Sequence, residues 1–123
     1  MEQKKRAWLY CRIDAPEDAH GALKGQRKEL SDYAEQMGLE ITGVSEDTGS
    51  VLDFEQPGLR EVMKAAGDGK MDVLLVKRLN RICRDMVKTI EFLWTLDQLG
   101  IKLYSSLEGE IRLEYHSPSL SPQ

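Results

Sequence analysis

The chain has 123 residues, of which 41% are hydrophobic and 31% charged; this is the size of one domain, with enough apolar side chains for a core that needs no metal or disulfide. Its net charge of −4 excludes a general attraction to nucleic acid, so nucleic-acid binding would require a local cluster of basic residues. The widely separated Cys11 and Cys83 predict neither a zinc site nor a disulfide, and the lack of a secretion signal or a long apolar stretch predicts a cytoplasmic protein that does not enter a membrane.

The first half of the chain predicts two strands separated by a long helix. Residues 7–13 (AWLYCRI) are aromatic, apolar and β-branched, which is typical of a buried strand, and a polar turn follows them. Apolar residues then recur every three or four positions over 23–37, and Gly38 ends this predicted helix. A second strand is predicted at 39–45, and the acidic segment 46–56 is predicted to be a loop.

The middle of the chain predicts two more helices around a third strand. Pro57 begins a short amphipathic helix that ends at Gly67. Residues 71–76 (MDVLLV) form a continuous apolar run of the kind that parallel sheets bury on both faces. A longer helix is predicted from about Asp85, its N-terminal cap, to Leu99. The apolar stripe predicted to face the core of the domain is Met86, Ile90, Leu93 and either Leu96 or Trp94.

The last part of the chain completes the predicted fold. Residues 101–107 form a fourth strand, and a turn at 108–109 leads into an antiparallel strand at 111–115. Because strands and helices alternate, we expect a three-layer α/β/α sandwich with right-handed crossovers. Its five-stranded mixed sheet should be mostly parallel, with an antiparallel last strand. One domain is expected over residues 1–116, followed by a disordered tail at 117–123.

Polar and charged residues follow each of the first three predicted strands. In open α/β sheets, ligands bind beyond the carboxyl ends of the strands, so these residues are the candidate site. They are Arg12, Asp14, Asp47, Ser50, Gln56, Lys77, Arg78, Arg81 and Arg84. We expect three of these arginines to converge on one anionic group.

Several short motifs occur in a distinctive order along the predicted elements. Residues 10–14 (YCRID) resemble an aromatic-x-Arg-aliphatic-Ser motif, and Gln26 stands where the next helix often carries a glutamine. Residues 47–50 (DTGS) and 56–59 (QPGL) are similar to a D-x-x-S-G segment and an Arg-Pro-Gly-Leu segment. The most specific motif is 77–85 (KRLNRICRD), which resembles the signature Leu-Asp-Arg-Leu-x-Arg. All of these patterns belong to serine site-specific DNA recombinases, the resolvase and invertase family.

Over about residues 7–107 the chain thus resembles the catalytic domain of a serine recombinase. In that family a serine hydroxyl attacks a DNA phosphodiester and forms a phosphoseryl intermediate, which conserves the bond energy until the strands are rejoined. The resemblance implies that Arg12, Arg81 and Arg84 are catalytic and clamp the phosphate, whose oxygens gain negative charge in the transition state. The residues implied to bind DNA phosphate are Arg12, Ser50, Arg78, Arg81 and Arg84.

Two residues depart from the family pattern. Asp14 stands at the position of the nucleophilic serine, and Gln56 replaces an arginine of the same pocket. A carboxylate about 4 Å from a phosphate repels it by roughly 4 kcal/mol at an effective dielectric of about 20. An acyl phosphate formed at Asp14 would also hydrolyse instead of lasting through strand exchange. The sequence therefore predicts a chain that is inactive or impaired in recombination, in which the Asp14 carboxylate takes the place of the phosphate among the arginines.

Other interpretations stay open beside this one. The chain is alternatively a non-catalytic DNA-associated or assembly module that keeps the recombinase fold. The arginines of 77–85 also fit a solvated basic face, and Ser50 fits a loop cap. Asp47 is expected to be a turn residue rather than a metal ligand, and neither a metal nor a cofactor is expected. A phosphoryl-accepting receiver domain is disfavoured, because it needs an aspartate directly after the third strand, where Lys77 stands.

The resemblance also sets expectations about partners. In the family a long dimerisation helix and a separate DNA-binding module follow the catalytic domain, and residues 111–123 leave no room for either. We therefore expect weak DNA binding without such a module, and a homodimer or higher oligomer in a full-length protein. A fragment of a longer recombinase and a standalone relative both remain open, and the sequence does not predict the target DNA site.

Overall fold

A computed structural model describes residues 4–13, 19–48, 56–77 and 86–112, and within them strands and helices alternate. The strands are β1 (Arg6–Ile13), β2 (Glu40–Thr48), β3 (Val73–Val76), β4 (Lys102–Ser105) and β5 (Gly109–Ile111). The helices are α1 (Ala19–Gln36), α2 (Pro57–Gly67) and α3 (Met86–Gln98).

The five strands form one mixed sheet in the order β2-β1-β3-β4-β5. β1 pairs in parallel with both β2 and β3, β3 pairs in parallel with β4, and β5 returns antiparallel to β4. This arrangement confirms the expected sheet. Because the four parallel strands point the same way, their ends lie at one carboxyl edge of the sheet, which is where ligands bind in folds of this class.

Each face of the sheet has its own apolar core. On one face, Leu30 and Ala34 of α1 pack with Leu9, Cys11 and Leu75, and all five side chains are fully buried. The other face is covered by α2 and α3. Its buried side chains include Tyr10, Leu59, Val62, Leu74, Phe92, Leu96 and Leu103. Helices on both faces explain why β3 is apolar along its whole length, and they confirm the three-layer α/β/α sandwich.

Strand boundaries differ in part from the sequence prediction: β3 and β4 are shorter than predicted, and larger differences occur at β2 and β5. β2 continues to Thr48 instead of ending at Ser45, because residues 46–48 pair with residues 11–13 of β1. β5 begins at Gly109, whose φ of 82° lies in the left-handed region that glycine adopts without steric cost. The acidic character of the end of β2 had favoured a loop, whereas pairing with a neighbouring strand determines the observed structure.

The apolar stripe predicted for helix α3 is confirmed at Leu93 and Leu96, which pack in the core, and differs at other positions. Phe92 and Leu96 are buried, whereas Ile90 and Trp94 are 47% and 50% exposed. Val87 is exposed as well, and it lies about one turn from Ile90 on the same outer side. The prediction was wrong for Ile90, and of the alternatives Leu96 and Trp94 the first is the buried one. Because α3 has apolar residues on two opposite sides, the helical period alone does not determine which side is buried.

Three sequence predictions concern residues outside the described part of the chain. They are the cap Asp85, the strand end at 113–115 and the tail at 117–123. Among the described helices, none combines the length and the apolar character that a membrane crossing requires.

Contact between the sheet and α2 depends on a glycine of β2. The indole ring of Trp8 lies against Gly43, where a Cβ atom would overlap the six-membered ring. Trp8 Nε1 donates a hydrogen bond to Ser45 Oγ at 2.8 Å, and the Ser45 hydroxyl donates to Glu61 Oε1 of α2 at 2.5 Å. The indole therefore links β1, β2 and α2, and the missing side chain at Gly43 makes room for it.

Candidate active site

Arg12 is the one predicted phosphate ligand that falls within the described residues. It is the second-last residue of β1, is half-buried, and lies opposite Asp47 in the register of β1 and β2. Because side chains alternate along a strand, Arg12 lies on the same face as Tyr10, which belongs to the core under α2. Arg12 therefore reaches the carboxyl edge of the sheet on the side of α2.

The backbone of Arg12 is held by a side chain of α1. Gln26 Oε1 accepts a hydrogen bond from the Arg12 N–H at 2.9 Å, and Gln26 Nε2 donates one to the Arg12 carbonyl oxygen at 3.0 Å. β1 pairs with β3 only from Ala7 to Leu9. The amide of Gln26 thus supplies the two hydrogen bonds that a neighbouring strand would otherwise give to Arg12.

Asp47 caps a helix and is not the turn residue that the sequence predicted. It lies within β2, and only 7% of its surface is exposed. Its Oδ1 accepts a hydrogen bond from the Gly58 N–H at 2.8 Å, and its Oδ2 accepts from the Leu59 N–H at 2.9 Å and the Tyr10 hydroxyl at 2.7 Å. The two N–H groups belong to the first turn of α2, where donors have no partner within the helix. Asp47 therefore joins the end of β2 to the start of α2.

Close packing surrounds this carboxylate. A Cβ atom at Gly58 would lie 2.5 Å from the Glu46 carbonyl oxygen and 2.7 Å from both carboxylate oxygens of Asp47. Burial, together with the hydrogen bond to Asp47, raises the pKa of Tyr10 well above its ordinary value. The Tyr10 hydroxyl therefore remains a donor to Asp47 even in mildly alkaline solution.

Gln56 precedes α2 and links it to β2. As the N-cap residue it makes no side-chain capping hydrogen bond, and Asp47 serves that purpose instead. Gln56 Nε2 donates to the Thr48 carbonyl oxygen at 2.8 Å. Within the described part of the chain, Gln56 Oε1 is buried without a hydrogen-bond partner. The link to Thr48 requires an amide hydrogen and no positive charge, in contrast to the arginine that the resemblance implies at this position.

Lys77 follows β3 directly and faces α1. Its Nζ lies 3.6 Å from Glu29 Oε1, and Glu29 Oε2 accepts a hydrogen bond from the Ser106 hydroxyl at 2.8 Å. The Lys77 carbonyl oxygen accepts a hydrogen bond from Ser105 Oγ at 2.6 Å. Helix α1 therefore contacts the ends of β3 and β4 as well as the end of β1. Sequence reasoning missed Glu29 and Ser105, because nothing in their local pattern distinguishes them from other polar residues.

Cys11 is a core residue. Its side chain is fully buried, and burial, together with the charge of Glu46, raises the pKa of the thiol to about 12. A thiol with such a pKa is protonated near neutral pH and is therefore a poor nucleophile. Cys83 lies outside the described residues.

The remaining predicted site residues also lie outside the described part of the chain. They are Asp14, Ser50, Arg78, Arg81 and Arg84. Their convergence with Arg12 therefore stays a prediction. In the ranges that the structure describes, no group of three or more histidine, cysteine, aspartate or glutamate side chains is arranged to hold a metal ion.

Comparison with known proteins agrees with the sequence motifs. Residues 7–119 match the family model described as "Resolvase, N terminal domain". Among solved structures, the N-terminal catalytic domain of TP901-1 integrase superposes with a TM-score of 0.75 and 22% identity, over 96% of this chain and 90% of that one. A resolvase family site-specific recombinase from Streptococcus pneumoniae gives a TM-score of 0.72 and 22% identity, over 97% and 83% of the two chains.

A third solved structure shares the fold as well. The C-terminal catalytic domain of ISC1926 TnpA, an IS607-like serine recombinase, gives a TM-score of 0.74 and 24% identity, over 82% of this chain and 70% of that one. At these identities the structural likeness establishes a shared fold, and the family model establishes the relationship in sequence.

Proposed function

This chain belongs to the family of resolvase N-terminal domains, the catalytic domains of serine recombinases, and from that membership we propose that it binds a DNA phosphate at the carboxyl edge of its sheet but does not recombine DNA as written. Arg12, Arg81 and Arg84 are the proposed phosphate ligands, assisted by Ser50 and Arg78. The observation that carries the proposal is the location of Arg12 at this edge, with its backbone held in place by Gln26.

The proposed inactivity follows from the chemistry of position 14. A serine there would form a phosphoester with the DNA phosphorus while the bond to the leaving strand breaks, and this ester would survive until the strands are rejoined. The carboxylate of Asp14 is charged, repels the phosphate, and would give an acyl phosphate that water cleaves. Two departures from the family pattern support the second reading of the chain, a non-catalytic DNA-associated or assembly module: Asp14 itself, and the neutral backbone link made by Gln56.

Covalent trapping tests the proposed inactivity. The whole chain, joined to a sequence-specific DNA-binding domain, is incubated with a supercoiled plasmid that carries the site of that domain, and the reaction is stopped with detergent. We expect no protein attached to a DNA 5′ end and no nicking above the level of an Arg12→Ala variant. A covalent adduct with the unmodified chain would contradict the proposal.

Phosphate binding is tested separately, with two variants that change the net charge equally. Arg12→Ala removes a proposed ligand, whereas Arg27→Ala removes an arginine whose Nη2 pairs with Glu46 at 2.6 Å. Binding of a duplex is followed by fluorescence anisotropy at several salt concentrations. We expect the salt dependence of binding to fall by about one phosphate contact in Arg12→Ala and to stay unchanged in Arg27→Ala. Equal behaviour of the two variants would contradict a phosphate site at Arg12.

We further propose that the domain works in the cytoplasm and that, in a full-length context, it assembles as a homodimer or higher oligomer. The exposed side chains of Val87, Ile90 and Trp94 support the proposed oligomer, because a row of large apolar side chains on one outer side of a helix is typical of an interaction surface. In sedimentation equilibrium we expect a concentration-dependent dimer that the Trp94→Glu variant weakens. A monomer at every concentration would contradict a dimer formed by the domain itself.

A further inference from the structure

We propose that Gln26 and Glu29 of α1 are positioning residues, which set the separation between Arg12 and the chain segment that leaves β3 at Lys77. The inference rests on the proposed function, because that segment carries Arg81 and Arg84.

The two residues lie three positions apart, and residues at this spacing share one side of a helix. Each one binds the end of a different strand. The amide of Gln26 pairs with both backbone groups of Arg12, at 2.9 and 3.0 Å. The carboxylate of Glu29 divides its two oxygens between Lys77 Nζ at 3.6 Å and the Ser106 hydroxyl at 2.8 Å. One turn of α1 therefore bridges the ends of β1, β3 and β4.

The sheet itself does not fix this separation. Backbone pairing between β1 and β3 covers Ala7–Leu9 and Val73–Leu75, and the last four residues of β1 extend beyond it. Past that point, Arg12 has β2 on one side and the amide of Gln26 in place of a strand on the other. The distance between Arg12 and Lys77 therefore depends on α1.

The carbonyl group of Lys77 is held as firmly as its side chain. It accepts hydrogen bonds from Ser105 Oγ at 2.6 Å and from the Leu107 N–H at 3.4 Å. Lys77 is thus tied to the turn after β4 by its backbone and to α1 by its ammonium group. The position of Lys77 is therefore held from two sides, and Glu29 joins it to the helix that holds Arg12.

Stability alone does not account for Glu29. The side chains of Lys77 and Glu29 are 41% and 37% exposed, and ion pairs at such exposure contribute little to the free energy of unfolding. The pair instead orients two flexible side chains, so that the end of β3 and helix α1 are held next to each other. A phosphate clamp requires its guanidinium groups at fixed positions before the DNA arrives, because electrostatic stabilisation depends on donors that need not rearrange.

The test compares Gln26→Ala, Glu29→Ala and Glu29→Gln with a matched control on the same helix. The control is Lys28→Ala, which removes an exposed side chain whose partner, Asp32, is also on α1. All variants are made in the whole chain. Amide residual dipolar couplings of Arg12, Ile13 and Lys77 report the orientation of the strand ends, and they require no DNA. The same variants are then made with Asp14→Ser in the protein joined to a DNA-binding domain, and the single-turnover rate of DNA cleavage is measured at saturating DNA.

We expect Gln26→Ala to change the couplings of Arg12 and Ile13, and Glu29→Ala to change those of Lys77, while the couplings of the buried strand residues stay constant. We expect both alanine variants to cleave DNA about tenfold more slowly at unchanged DNA affinity. Glu29→Gln should recover most of the rate, because its amide oxygen accepts from Lys77 Nζ while its NH2 group donates to the Ser106 hydroxyl. Lys28→Ala should match the parent in both measurements.

Unchanged couplings would overturn the inference whether or not the serine variant cleaves DNA. Changed couplings with an unchanged cleavage rate would also overturn it, because the separation would then have no part in the reaction. If the Asp14→Ser parent itself fails to cleave, that result counts against the proposed function, and the couplings alone then decide the inference.

Discussion

Replacing Asp14 by serine is expected to give the protein a DNA-nicking activity at least about a hundredfold above that of the unmodified chain. The substitution removes a repulsion of roughly 4 kcal/mol between the carboxylate and the phosphate, which corresponds to nearly three powers of ten in rate when it acts fully in the transition state. It also supplies a hydroxyl whose phosphoester resists hydrolysis. The measurement is the fraction of supercoiled plasmid nicked by the protein joined to a DNA-binding domain, together with the covalent adduct at the DNA 5′ end.

Two further variants separate the effect of removing the carboxylate charge from the effect of adding a hydroxyl nucleophile. Asp14→Ala removes the carboxylate without adding a hydroxyl, so we expect tighter DNA binding and no covalent adduct. Combining Asp14→Ser with Gln56→Arg restores the family residue at both positions and should raise the rate of DNA cleavage further. If neither serine variant forms an adduct while both bind DNA as tightly as Asp14→Ala, the arginines at this edge do not act as a catalytic clamp.

The second large effect is expected at Asp47. Asp47→Ala should lower the free energy of unfolding by about 3–5 kcal/mol, because the Tyr10 hydroxyl and two N–H groups of α2 lose their acceptor in a buried place. A domain of this size is stable by only about 5–15 kcal/mol, so the loss is a large part of the total. Urea unfolding, followed by circular dichroism and by tryptophan fluorescence, measures the change.

Asp68→Ala provides the control for Asp47, since Asp68 lies just after the other end of α2. It pairs with Lys64 at 3.2 Å, and both side chains are well exposed, so its removal should leave the unfolding midpoint almost unchanged. Tyr10→Phe, alone and with Asp47→Ala, then gives the coupling between the two side chains. A loss below about 1 kcal/mol in Asp47→Ala would show that solvent replaces the carboxylate, contrary to its buried position.

The fold was predictable where the residues of a single strand or helix indicate how that element is buried and where it ends. The apolar run of β3 indicates burial on both faces, and Pro57 and Gly67 mark the two ends of α2. Two features depend on tertiary contacts and were not predictable. The polar end of β2 forms a strand because β1 lies beside it, and α3 has two apolar sides of which the sheet covers only one.

The candidate site divides in the same way. Arg12 was found from its place at the end of a strand, and its location at the carboxyl edge follows from the parallel sheet. The hydrogen bonds between Gln26 and the Arg12 backbone could not be predicted from the local sequence, because they join two separate elements, although the family resemblance marked the position of Gln26. Asp47 was misread as a turn residue, because an aspartate beside a glycine-containing segment is typical of turns, and its partners in α2 are eleven and twelve residues away.

The hydrogen bond between Gln56 and Thr48 bears on how this domain tolerates change. It joins Thr48, the last residue of β2, to Gln56, the residue before α2, and so links the two residues that flank segment 49–55. Chain statistics assign an entropic penalty of only about 0.6 kcal/mol to each doubling of a loop whose ends are already joined. Insertions and deletions within 49–55 should therefore leave β2 and α2 intact.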